Sequence, residues 1–160
     1  MKVELKDGSQ LEVKEGASVL EIAQQISEGL ARNACCGIVN GEVKDLRYEV
    51  KENCKLEIAT FENSLEGKKA YWHTTSHIMA QAIKRLYPKI KLTIGPAIDN
   101  GFYYDFDAEK PFTPEMLEAI EAEMKKIIKE DLPIKKFTLS REKAIALMKE
   151  RKEDYKVELI

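Results

Sequence analysis

At 160 residues, with 44% hydrophobic and 34% charged side chains, the chain has room for one medium domain or two small ones with apolar cores. A net charge of −2 excludes a strongly basic, phosphate-gripping protein, and no run approaches the roughly 20 apolar residues that cross a bilayer. The opening Met1-Lys2-Val3-Glu4-Leu5-Lys6 lacks the apolar core of a secretion signal, so a cytoplasmic protein is expected.

The charge is uneven. Residues 1–62 carry 8 Lys/Arg against 12 Asp/Glu, and residues 63–160 carry 18 against 16. A nucleic-acid partner would therefore need a local patch or a further part of the protein. Cys35, Cys36 and Cys54 show no C-x-x-C spacing and an odd count, which points to buried reduced thiols that pack rather than react.

In chain order, Val3 and Leu5, then Leu11 and Val13, alternate with polar residues around Lys6-Asp7-Gly8-Ser9, a hairpin signal. Ser18 with Glu21 forms a capping box. The helix it opens carries Val19, Ile22, Ala23, Ile26 and Leu30 at helical spacing. Cys36–Val39, Asn40-Gly41 and a strand near Lys55–Thr60 follow. Hairpin, helix and further strands predict an α+β, ubiquitin-like β-grasp domain over residues 1–61. Residues 62–69, polar and holding Gly and Ser, read as a linker.

A helix is expected from about Tyr71 to Leu86, closed by Pro88. Lys91–Ile98 and Phe102–Phe106 flank Asp99-Asn100-Gly101, a second hairpin signal. Thr113-Pro114-Glu115 opens another helix with a cap, a Pro at the first turn and an early acid. Ile134–Leu139 is expected as a strand, and Ser140 as the cap of a helix reaching about Lys149. The final apolar run, Tyr155–Ile160, carries no stop signal and reads as a cut inside a domain.

The chemistry-bearing motif is His73-Thr74-Thr75-Ser76-His77. Residues four apart on a helix share one face, so the two imidazoles can grip one metal ion, or one water and a substrate. At roughly 100° per residue, Trp72, Ile78, Met79, Ala82, Ile83 and Leu86 point one way and the histidines nearly the opposite way. A pair of core histidines would share the apolar side. Glu does not follow the first His, which removes the metalloprotease reading. Thr74, Thr75 and Ser76 could orient a polar substrate or be solvated. In the second motif, Gly95-Pro96 inside a strand-like run marks a bulge or close backbone approach, while Tyr104 can pack or line a site. Lys156, on residue type alone, is a surface lysine.

With these residues assembled, the chain resembles the N-terminal part of the bacterial threonyl-tRNA synthetase family. Residues 1–61 resemble its TGS domain. The His pair, Ile94-Gly95-Pro96 and Asp99-Asn100-Gly101-Phe102-Tyr103-Tyr104-Asp105 resemble the opening of its editing domain, which residues 70–160 would hold incompletely. The resemblance implies hydrolysis of serine from mischarged tRNA(Thr), with His73 and His77 as catalytic residues and Gly95, Tyr104 and Lys156 lining the substrate pocket. The family's downstream Cys-x-x-x-His segment has no counterpart among two histidines. The chain is thus expected to be a fragment that cannot itself charge tRNA. ATP, Mg and a catalytic-domain zinc are implied for the full-length family, with none certain here beyond a metal at His73 and His77 should one bind. tRNA(Thr) is the implied partner, with no membrane, a full-length homodimer and a monomeric fragment. Two alternatives stay open: a stand-alone alanyl-type aminoacyl-tRNA deacylase, and a non-catalytic TGS regulatory or RNA-binding module.

Overall fold

A computed structural model describes every residue from Met1 to Ile160. The chain divides into two compact units, Met1–Trp72 and His73–Ile160.

The first unit has the predicted β-grasp order. Strand β1 (Lys2–Leu5) turns back into β2 (Gln10–Glu12). Gly8 supplies the positive φ of that turn, and the amide and hydroxyl of Ser9 both donate to the Asp7 carboxylate. Strands β3 (Ala34–Val39), β4 (Glu42–Lys44) and β5 (Cys54–Thr60) complete a five-stranded sheet ordered β2-β1-β5-β3-β4. The β1–β5 pair is parallel and the rest antiparallel. Asn40-Gly41, both at positive φ, makes the β3–β4 turn. Helix α1 (Val19–Ile26) begins at the expected capping box: the Ser18 hydroxyl accepts from the Glu21 amide, and the Glu21 carboxylate accepts from the Ser18 amide. Val19, Ile22 and Ala23 sink into a core with Val3, Val50 and Leu56.

One helix was expected here, and two form. Ser27, in extended conformation, ends α1 and caps α2 (Glu28–Asn33), its hydroxyl accepting from the Leu30 amide. A serine side chain that satisfies the next turn's amide competes with helix continuation, which splits an otherwise continuous apolar stripe. The cysteines are free, with Cys36 and Cys54 buried. Burial raises all three thiol pKa values and keeps them protonated.

The linker expectation needs correction. Helix α3 runs Leu65–Leu86, so Leu65–Lys69 are helical and the helix starts six residues before Tyr71. Ser64 anchors this start by accepting from the Gly67 amide. The boundary between the units falls inside the helix, after Trp72.

In the second unit the hairpin is present but its ladder is broken. Strand β6 (Lys91–Leu92) pairs with β9 (Phe106–Asp107), and β7 (Ala97–Ile98) with β8 (Gly101–Phe102). Backbone bonds between Thr93, Ile94 and Asp105 extend the first pair. The ladder fails at Gly95-Pro96, where Pro has no N–H to give. Helix α4 (Pro114–Glu130) is capped by Thr113 as predicted. Its Ile120 and Ile127 pack with Ala82 and Ile83 of α3. Arg85 joins the same two helices through two bonds to Glu130 and one to Glu123. Ser140 caps α5 (Arg141–Glu150), and α6 (Asp154–Leu159) follows.

Ile134–Leu139 is not a strand. It runs exposed from α4 to α5, with Ile134 and Phe137 at 68% and 67% exposure. β-propensity describes a fit to a pleated, half-buried surface, and none of the chain's strands offers this segment a ladder.

Candidate active site

The imidazole pair sits where the helical spacing puts it. His73 and His77 lie on an exposed face of α3, while Ala82 and Ile83 are buried on the other side. Their Nε2 atoms are 2.9 Å apart, and the rings meet edge to face at 4.6 Å. At that separation one Nε2–H donates to the other Nε2, so the pair holds one shared proton between the rings. The His77 pKa is depressed below its ordinary 6.5, first by partial loss of hydration and then by His73 and the Lys156 ammonium. His77 is therefore neutral at physiological pH although its edge meets solvent.

Lys156 comes from α6, 79 positions beyond His77 in the numbering. Contacts of the three residues before it place it. The Lys91 ammonium pairs with Asp154 at 3.0 Å, and the Tyr155 hydroxyl donates to the Asp107 carboxylate at 2.9 Å. Lys84 pairs with Glu153 at 3.1 Å. The Lys156 ammonium then donates a long bond, 3.4 Å, to the Tyr104 hydroxyl. The Tyr104 ring stacks on Phe106 at 4.7 Å, and Phe106 meets Phe112 edge-on at 5.6 Å.

Gly95 is the close approach that its setting in the sequence suggested. A Cβ there would stand 2.1 Å from Cδ2 of Tyr104, so only glycine lets the tyrosine ring lie against this backbone. The Gly95 carbonyl accepts from the Ser76 hydroxyl at 3.2 Å, and that hydroxyl also donates to the His73 carbonyl at 2.7 Å.

All five residues singled out from the sequence therefore gather in the second unit. Ser76, open with Thr74 and Thr75 between substrate contact and solvated surface, is neither, being completely buried. A signal existed. By helical geometry it flanks the histidine stripe on the side where Ala80, one turn later, is also buried. Thr74 is exposed and Thr75 half-buried.

A zinc shell does not fit these residues. Zinc at about 2.0–2.1 Å from two imidazole nitrogens in tetrahedral geometry spaces them by roughly 3.3 Å and requires further ligands. No three His, Cys, Asp or Glu side chains gather anywhere in the chain.

Residues 1–60 match the TGS domain family, in keeping with the β-grasp sheet of the first unit. Over its full length the chain is similar to the N-terminal region of bacterial threonine–tRNA ligases. It is 62% identical over all 160 residues to the threonine–tRNA ligase of Acetivibrio thermocellus, 61% to that of Clostridium perfringens and 58% to that of Caldanaerobacter subterraneus. It spans about a quarter of the length of these curated relatives: 25%, 24% and 25% of each. No helix is long and apolar enough to cross a membrane.

Proposed function

We propose that the chain acts as the N-terminal region of a threonine–tRNA ligase and that its second unit carries the editing half of that function, hydrolysing serine from mischarged tRNA(Thr). The observation that carries this reading is the convergence of a neutral, paired imidazole with a lysine and a tyrosine at one glycine-lined wall. Water attacks the ester carbonyl, and the imidazole pair takes its proton as general base. The carbonyl carbon–3′ oxygen bond then breaks, the 3′ oxygen leaves with a proton, and free serine is released. Lys156 offers positive charge beside the reacting ester, where negative charge develops on the carbonyl oxygen. Tyr104, wedged against Gly95, forms a rigid boundary for the amino-acid side chain.

The chemistry has a clear need for such a site. Serine lacks one methyl of threonine, and a pocket distinguishes that difference by only about 1–3 kcal/mol. A second site that admits serine and rejects the larger threonine supplies the rest. In this reading tRNA(Thr) is the partner, the assembly is cytoplasmic and homodimeric, and ATP, Mg and zinc serve the aminoacylation part that the relatives' additional length accommodates. The zinc-dependent stand-alone deacylase finds no support in a donor set of two imidazoles.

The test is a chimera in which this chain replaces the matching region of the Acetivibrio thermocellus ligase. It should deacylate seryl-tRNA(Thr) much faster than threonyl-tRNA(Thr). His73→Ala with His77→Ala should remove that activity while leaving threonine charging in place. An unchanged deacylation rate would refute the site.

A further inference from the structure

Ser76 is the one polar side chain that the chain buries completely, and its hydroxyl faces two acceptors. The bond to the His73 carbonyl, at 2.7 Å, is the ordinary back-bond of a helical serine. The contact to the Gly95 carbonyl, at 3.2 Å, leaves the helix and reaches the hairpin 19 residues on. Packing alone does not call for a hydroxyl at such a position. Ala80, one turn further along the same line of the helix, is buried at 4% exposure with no polar group. Gly95 is also approached closely by the Tyr104 ring. Its backbone thus meets both the serine of the histidine helix and the tyrosine that meets Lys156.

We infer that Ser76 is a positioning residue: its hydroxyl clamps α3 to the Gly95 carbonyl and so sets the gap between the imidazole pair and the Tyr104–Lys156 wall. The inference rests on the hydrolytic reading for its purpose but not for its geometry. One continuous path, His73 carbonyl to Ser76, Ser76 to Gly95, Gly95 to Tyr104 and Tyr104 to Lys156, passes through a single proton. Removing that proton frees the hairpin to draw away. Lys156 then recedes from His77, whose partial dehydration is relieved further.

Two readouts test it. In the chain itself, histidine-ring NMR follows the titration of His77, which faces His73 and the Lys156 ammonium. Ser76→Ala should move that titration up toward 6.5, the ordinary value, as dehydration and the lysine charge are both relieved. In the chimera, the same variant should lower kcat for seryl-tRNA(Thr) deacylation about tenfold, with KM within about twofold, as expected for misplaced rather than missing groups. Ser76→Cys keeps the volume with a weak donor and should fall between; should Ser76→Ala not fold, the cysteine variant decides. Ser76→Ala with a lower melting temperature but an unmoved His77 titration and unmoved kcat would overturn the inference, leaving Ser76 a packing residue. If the unmodified chimera does not deacylate seryl-tRNA(Thr), the hydrolytic reading fails, and the NMR comparison alone decides the positioning role.

Discussion

In the first unit Val3, Val19, Ile22 and Leu56 are at most 2% exposed beneath a five-stranded sheet. In the second, every strand is two residues long, and Leu117, Ile128, Ile134 and Phe137 stand 58–68% exposed. Continuous ladders and a closed apolar core hold the first. Point contacts hold the candidate site of the second: one buried hydroxyl, one glycine without room for a methyl, and three ion or hydrogen-bond contacts around a six-residue helix. A site built this way can be lost by a small displacement that costs little stability.

The largest expected effect lies in the first unit. Ile22→Ala removes a wholly buried side chain and should cost about 2–5 kcal/mol, measured by urea unfolding. Phe137→Ser on the exposed α4–α5 segment should stay within about 0.5 kcal/mol. Equal costs at the two positions would erase the contrast. Gly95→Ala should sharpen it from the other side. Overpacking against Tyr104 should cost about 1–3 kcal/mol, yet deacylation by the chimera should fall far more than that stability loss explains, because the Tyr104–Lys156 contact is displaced.

The same contrast governed what the sequence revealed. Period-two alternation, Asp7-Gly8, Asn40-Gly41 and the Ser18–Glu21 box are local signals whose physics completes within a few residues, so the first unit was readable almost throughout. Its departures are the break at Ser27, from a serine whose side chain serves the following turn, and the helical start at Leu65 within the expected linker. In the second unit the shared face of His73 and His77 follows from helical pitch alone, and the close approach at Gly95 from a glycine-proline pair inside a strand pattern. The contact of Lys156 with Tyr104 joins positions 52 apart, and no local rule encodes it; the resemblance to a known family pointed there. Ile134–Leu139 misled because propensity was read without a partner strand. Ser76 was ambiguous because burial at the flank of a helix depends on what packs there.

A smaller effect follows from His77. Its folded-state pKa lies below the ordinary 6.5, so the unfolded chain binds the proton more readily. The second unit should therefore lose stability as pH falls below about 6.5, and regain it as pH rises. His77→Gln should flatten that dependence in thermal melts taken across this window.

The imidazoles, Tyr104 and Lys156 form one electrostatic neighbourhood. Ring-resolved NMR titration of His77, in the unaltered chain and in Lys156→Ala, measures it most directly. Protonation is expected below 6.5 in the first, with an upward move in the second. An ordinary titration that ignores the loss of the lysine would contradict it.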